Sequence, residues 1–405
     1  MSFRFRTLAI VAGLAAAFPA LAAAPAKAAA KPAPQAATAA PAAFELAHNL
    51  SPEGEARLQV VVDRFNKETG NTLKLNRLEK GEKPAGLNLV MRYDMSDFLS
   101  RGQSFVPLHE VMAKAGKPIK AADLSTDLMA GVLDAKGRLV ALPLVYSTPV
   151  LFYDKNAFRK AKLDPEKPPQ NWFEMQGMLD KIQEAGYACP YTTSWPVWVH
   201  IDNVSALSGL PAVDPKGTLV FNGLPQVKHV AMMTTWVKAN YFKTYGRRAE
   251  ASKHFRDGEC AMITTDSREH VDFESNRRID LGVAPLPYHD DVYGGRQHSL
   301  ADGATLWVGS GRPAAEYKQI AQFITFMLAP DMQVEMVRAY GGLPLTPAAR
   351  SAAQSKVFGE IDRTLKIAYG SLKGKGASPV PHVSDIDGVR VIADEELEAV
   401  WSDKK

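Results

Sequence analysis

Between Gly137 and Leu328, apolar runs of strand length alternate with amphipathic helical stretches, and few folds accommodate that order. GRLVALPLVYSTPVLFYDKNAF reads as two strands meeting at a polar corner, with NAFRKAKL as a short helix. KPPQNW then turns into FEMQGMLDKIQEAG, an amphipathic helix closed by Gly186. YACPYTTS and ECAMITTDS are strands that each end in hydroxyl residues, and PQVKHVAMMTTWVKANY is a helix between them. LGVAPLPY, ATLWVGSG and PAAEYKQIAQFITFML continue as strand, strand and helix. This is the order of an α/β protein, whose ligands collect at the carboxyl ends of strands. Upstream, EGEARLQVVVDRFNKETG has helical spacing, TLKLNRL and LNLVMRY are strand-like, and FVPLHEVMAKAG begins a helix. Downstream, DMQVEMVRAYG and ADEELEAVW are helical. A chain of 405 residues fits two domains of roughly 150 to 200 residues each.

The amino terminus stands apart from this pattern. MSFRFRTLAIVAGLAAAFPALAAAP carries Arg4 and Arg6, an apolar run from Leu8 to Phe18, and small residues at Ala20 to Ala22, the layout of a secretory signal peptide. Residues 1–22 are therefore expected to be a leader, and residues 23–43, almost wholly Ala, Pro and Lys, a flexible tether. Nothing later approaches the roughly 18 apolar residues of a membrane span, so an exported, soluble mature chain is expected. The formal charge of +4 falls to +2 without the two leader arginines, which argues against nucleic acid as a partner. Cys189 and Cys260 are the only cysteines. Export permits a disulfide between them, but both precede apolar strand-like runs where buried free thiols are common, and the balance tips slightly toward free thiols.

Motifs for catalysis are scarce. GSGRPA at Gly309 to Ala314 nominally matches a dinucleotide-binding turn, but the acidic residue that should end a second strand about 20 positions on falls in the helix FITFMLAPDM. HEVMA at His109 lacks the second histidine of a zinc-protease helix, and neither a nucleophile elbow nor a Walker loop is present. No cofactor, metal or catalytic residue is expected, and the chain does not read as an enzyme. In TTSWPVWVHIDN, Trp195 and Trp198 follow a hydroxyl cluster. An isolated pair of tryptophans is most simply core packing. Two indoles in a loop at the end of a strand are also the wall of a sugar or polyol site.

Several long blocks share a resemblance. STPVLFYDKNAF with LDPEKPPQNWFEM, then TTSWPVWVHIDNVSALSGLP, YGRRAEASKHFRDGECAM, DGATLWV, GLPLTPAA and VRVIADEELEAVW resemble, in that order, the periplasmic glycerol-3-phosphate-binding proteins of ABC importers, within extracellular solute-binding protein family 1. The likeness runs from Leu133 to Trp401 and more weakly over Glu53 to Tyr93. It implies two α/β lobes joined by crossing segments, a ligand trapped between them on closure, and an inner-membrane permease as the partner of a monomeric binding protein. Residues 44–145 would form mainly the amino-terminal lobe, 146–300 mainly the carboxy-terminal lobe, and 301–405 crossing segments and shared helices. Matched by motif, Ser147, Ser267, Gly303 and Arg390 would hold a phosphate, Asp94 would accept from glycerol hydroxyls, and Trp195 and Trp198 would form the wall. A guanidinium fork with hydroxyl and amide donors suits a phosphate. On its own, Arg390 would more simply pair with Asp394 or Glu395, and Ser147 would be a strand-end turn residue.

The chain departs from the family at four places. Ala47 stands where a tryptophan is usual, Gly342 where a tyrosine is usual, and Tyr146 where the family has a small residue; EKGEKPAG replaces a helix of about five turns. The first, second and fourth remove bulk or donors on the amino-terminal side of the cleft, so a wider pocket is expected, open to a glycerophosphodiester or a larger phosphorylated headgroup as well as to glycerol-3-phosphate. Alternatives are an oligosaccharide or polyol carrier of the same fold and a remodelled periplasmic protein that handles lipid headgroups.

Overall fold

The computed structural model describes residues 42–78, 85–91, 105–129, 132–134, 136–210, 214, 218–292, 297–356, 360–372, 386–402 and 404. The expected leader, nearly all of the tether, Asp94 and most of EKGEKPAG lie outside the described residues. Two five-stranded sheets organise the chain from Phe44 onward. The first, in the order β2-β1-β3-β10-β4, joins β1 (Phe44–His48), β2 (Leu73–Arg77), β3 (Leu87–Val90), β4 (Leu142–Ser147) and β10 (Asp302–Val308). The second, in the order β7-β6-β8-β5-β9, joins β5 (Pro149–Asp154), β6 (Cys189–Thr193), β7 (Phe242–Lys243), β8 (Cys260–Asp266) and β9 (Leu281–Pro285). Each sheet is the centre of one lobe, and both are mixed: parallel pairs at one side, antiparallel pairs where the chain crosses between lobes.

The strands that cross are buried on both faces. Every residue of LPLVYS in β4, PVLFYD in β5 and CAMITTD in β8 is buried, so these segments read as continuous apolar runs rather than alternating ones. Only Thr148 separates β4 from β5, so the polar corner read from STP is a single-residue passage from one sheet to the other. A second passage runs from β9 to β10, and a third leads through the helices Pro347–Lys356 and Glu360–Ser371. TTSWPVWVHIDN, expected as a loop, instead turns into helix. Pro196 begins it, a π-helical turn covers Trp198–Asn203, and Val204–Leu207 completes it. Proline in a first turn gives up no internal hydrogen bond, so Pro196 can open this helix.

Local signals set the helices. Pro52–Thr69 begins with the Ser51 hydroxyl accepting from the Gly54 amide at 3.2 Å, has Pro52 in its first turn, and ends at Gly70 with φ 70°. Its inner face buries Leu58, Val61, Val62 and Phe65, and Phe65 meets Phe323 edge to face at 5.1 Å. Trp172–Glu184 is capped by Asn171, whose side-chain oxygen accepts from Glu174 N at 2.7 Å. Its Trp172 joins Trp198 and Trp236 in the core of the second lobe. Truncating any of the three to alanine would remove about 3–5 kcal/mol.

Against the slight preference for free thiols, Cys189 and Cys260 are bonded, with Cα atoms 4.5 Å apart. The reason is register: the two residues face each other on the parallel strands β6 and β8, a relation that a separation of 71 residues conceals. Closing that loop restricts the unfolded chain by about 4 kcal/mol in the chain-entropy picture. A Cys189→Ala/Cys260→Ala variant should therefore unfold in urea with a stability lower by about 2–4 kcal/mol. Wild type treated with reductant should move toward it, and coincident curves for oxidised wild type and variant would refute this.

Candidate functional site

The site is assembled where the chain passes between lobes. β10 lies antiparallel to β4 with Asp302 opposite Ser147 and Gly303 opposite Tyr146, and the Ser147 hydroxyl donates to the Asp302 carbonyl at 3.3 Å. One residue on, the Thr148 carbonyl accepts from Ser267 N at 2.9 Å, and Thr148 N donates to the Ser267 hydroxyl at 3.4 Å. Ser147, Thr148 and Ser267 are all buried. The Ser147 and Ser267 hydroxyls find partners at the strand ends on either side of the passage, whereas the buried Thr148 hydroxyl makes no hydrogen bond among the described residues.

Gly303 is required by proximity, not by its backbone angles. A Cβ there would lie 2.0 Å from the Val145 carbonyl oxygen, so β4 and β10 approach this closely only because residue 303 has no side chain. Gly342 is similarly placed: a Cβ would stand 2.9 Å from Val145 Cγ1, and the adjoining Leu343 N donates to the Tyr146 carbonyl at 2.7 Å. The Tyr146 ring belongs to the core of the first lobe.

Arg390 reaches this corner from the helix Ile386–Trp401, which packs Leu397 and Trp401 into the core of the second lobe. Asp394 and Glu395, its simplest partners by sequence, are engaged elsewhere, with Arg248 at 3.5 Å and Arg247 at 3.2 Å. The Arg390 guanidinium instead donates through Nε and Nη2 to Asp202 Oδ2, both at 2.8 Å, and through Nη1 to Asp302 Oδ2 at 2.8 Å. Asp202 comes from the π-helical turn of the second lobe, Asp302 from the first strand residue of β10 in the first. The other Asp302 oxygen, Oδ1, accepts from Gly303 N at 2.7 Å. Neither Asp202 nor Asp302 is among the residues expected from the sequence at this corner. The only clue to them is their place, in HIDN after the tryptophans and immediately before Gly303.

Ser147, Ser267, Gly303 and Arg390 are thus linked through Thr148 and Asp302. The tryptophans divide. Trp198 is fully buried in the core of the second lobe, not on an open wall, because the helix begun at Pro196 turns it inward. Trp195 stays partly exposed with the guanidinium of Arg248 5.9 Å from its ring centre, and its φ of 55° is left-handed. Such a backbone costs roughly 1–2 kcal/mol in a residue with a Cβ. Two bonds hold it: Trp195 N donates to the Arg248 carbonyl at 2.8 Å, and Val199 N to the Trp195 carbonyl at 3.0 Å. An apolar groove of about 700 Å³ lies between the helices Leu224–Lys238 and Ile386–Trp401, lined by side chains such as Val227, Val230, Ile392 and Leu397. Arg390 does not line it.

Two lobes with a polar donor set at their passage define a binding protein of the periplasmic type. The chain belongs to the family of bacterial extracellular solute-binding proteins, which it matches over residues 60–358. It is 33% identical over 391 residues, 90% of this chain and 88% of the relative, to the sn-glycerol-3-phosphate-binding periplasmic protein UgpB of Pectobacterium atrosepticum. It is 34% identical over 310 residues to the UgpB of Salmonella typhimurium, covering 74% of this chain and 71% of that one. Among solved structures, UgpB of Mycobacterium tuberculosis in complex with glycerophosphocholine superposes with a TM-score of 0.69 at 18% identity, covering 89% of this chain and 93% of that one. Maltose-bound MalE3 of T. maritima superposes at 0.72 and 17%, covering 90% and 95%. These two likenesses establish the fold.

Two consequences are measurable. Gly303→Ala should force β4 and β10 apart at a cost of about 1–3 kcal/mol, read by urea unfolding, and an unchanged midpoint would contradict the close approach. The second concerns Asp394, which anchors the helix bearing Arg390 by accepting from Val197 N at 3.3 Å. Burial pushes its carboxyl up to about 7, outweighing the pull of Arg248 and of that amide. Unfolded, the group ionises near 4, so from about pH 4 to 7 the folded chain holds a proton that the unfolded chain has lost, and wild type gains stability as pH falls through that window. Asp394→Asn does not titrate. Its stability relative to wild type should drop by about 2 kcal/mol between pH 8 and pH 5, and a constant difference would show that Asp394 is not so perturbed.

Proposed function

We propose that this chain is the solute-binding component of an ABC importer, exported to the periplasm by its leader, that takes a phosphorylated glycerol compound between its lobes and presents it to an inner-membrane permease. The observation that carries the reading is the convergence of Arg390, the Gly303 amide, Ser147 and Ser267 at the passage between the lobes. A guanidinium offers a fork, and the amide and hydroxyls add neutral donors in fixed positions, a set matched to a tetrahedral anion. The names of the relatives support the same ligand class. Ala47 and Gly342 in place of bulky aromatics, with Asp94 where the resembling family has a longer glutamate, suit a ligand larger than glycerol-3-phosphate, such as a glycerophosphodiester. The chain is read as binding its ligand, not turning it over, and as acting without a cofactor.

Ligand that touches both lobes stabilises the closed arrangement and shifts the population toward it. Arg390→Ala tests the reading by calorimetric titration of the mature protein with glycerol-3-phosphate and glycerophosphocholine. Truncating one partner of a buried charged hydrogen bond costs about 2–5 kcal/mol, so affinity should fall by about 30-fold or more. Retained affinity for both compounds, or wild-type binding of maltodextrins in their place, would favour the oligosaccharide carrier.

A further inference from the structure

Asp302 occupies the donors assigned to the ligand. Its Oδ2 takes Arg390 Nη1 at 2.8 Å and its Oδ1 takes Gly303 N at 2.7 Å, so one carboxylate bridges the guanidinium and the amide as two oxygens of a phosphate would. Arg390 is at the same time held by Asp202 through Nε and Nη2. Two carboxylates share this one guanidinium, and Arg268, itself held by Asp266, is a further cation that Asp302 faces.

We propose that Asp302 is a specificity-determining residue: an internal anion that the ligand's phosphate must displace, and that weights the site against doubly charged phosphomonoesters and toward singly charged phosphodiesters. This rests on the phosphorylated-ligand reading above and deepens it. Asp302 is the first residue of β10 and is tied to it through Gly303, so on displacement its carboxylate stays close to the seat it leaves. Every unit of charge on the incoming phosphate is repelled by it. A monoester loses its second proton near pH 6 and is a dianion at pH 7.5, whereas a diester is a monoanion at any neutral pH. Coulomb repulsion scales with that charge, so the monoester is penalised twice as heavily.

The experiment is calorimetric titration at pH 7.5 of wild type, Asp302→Asn and Asp302→Ala with three probes: inorganic phosphate, glycerol-3-phosphate and glycerophosphocholine. Asp302→Asn retains an oxygen for Gly303 N and serves if the alanine variant fails to fold, as thermal melting will show. Removing the charge should tighten both glycerol compounds, glycerol-3-phosphate about tenfold and glycerophosphocholine about threefold, since the dianion loses twice the repulsion. Inorganic phosphate should gain at least about tenfold, and the gain should vanish in Asp302→Ala/Arg390→Ala. Equal shifts for monoester and diester, or weakened binding of both by a folded variant, would overturn the assignment. If wild type binds neither glycerol compound, the ligand reading fails, and the inorganic phosphate arm still decides Asp302: an Arg390-dependent gain supports the internal anion, and no gain overturns it.

Discussion

The passage at Ser147, Thr148 and Pro149 constrains everything around it. β4 and β5 are the strands through which the two sheets are joined, both are wholly buried, and a single residue stands between them. A backbone at that depth must find hydrogen bonds for every amide and carbonyl. Thr148 finds them in Ser267 across the passage, and the Ser147 side-chain hydroxyl adds a bond to the Asp302 carbonyl. Hydroxyl residues here therefore serve the fold first. The same donors, at a place where two lobes meet, are also those that a polar ligand would use.

Charge at the passage obeys a similar economy. A guanidinium as enclosed as that of Arg390 is tolerable only with its donors satisfied, since removing a charge from water without a partner costs several kcal/mol. Asp202 and Asp302 provide that, one from each lobe. Nearby, Arg268 is held by Asp266 Oδ2, and the Gly341 Cα lies against the Arg268 backbone so closely that a Cβ would approach it to 2.9 Å. Cations along the seam are thus neutralised locally. The deeper core of the second lobe solves the same problem with neutral groups: His200, His229 and His289 share hydrogen bonds at 2.9 and 3.0 Å, and burial holds their pKa values below the usual range.

Much of this was legible in the sequence. The α/β order, the corner in YSTP, and the hydroxyl ends of TTS and TTDS follow from periodicity and turn chemistry, which are local properties. What escaped is non-local. Arg390 bonds residues 188 and 88 positions away, so nothing in HIDN or DGATLW marks Asp202 or Asp302 as its partners, whereas Asp394 and Glu395 sit beside it in sequence and look available. The Cys189–Cys260 bond is hidden for the same reason, being a matter of which parallel strands neighbour one another. Trp198 was misplaced by a local ambiguity: S-W-P can end a strand in a loop or open a helix, and the apolar face of VWVHI, read with Pro196 in the first turn, favours the second.

Arg390 and Asp202 belong to the second lobe and Asp302 to the first, and this arrangement bears on how binding and lobe movement are coupled. An ion pair between lobes stabilises whichever arrangement allows it, with or without ligand. If a ligand only added contacts, it would have to overcome that preference unaided. A phosphate that replaces the Asp302 carboxylate exchanges one anion for another at Arg390, so the guanidinium is never left uncompensated while the lobes rearrange. The differential affinity that drives closure then comes from the rest of the ligand, from whatever it touches on the amino-terminal side. Ala47 of β1 and Gly342, which lies against Val145 of β4, are on that side. The charged end of the site would thus be concerned with recognition, and the amino-terminal side with how far each ligand can shift the lobes.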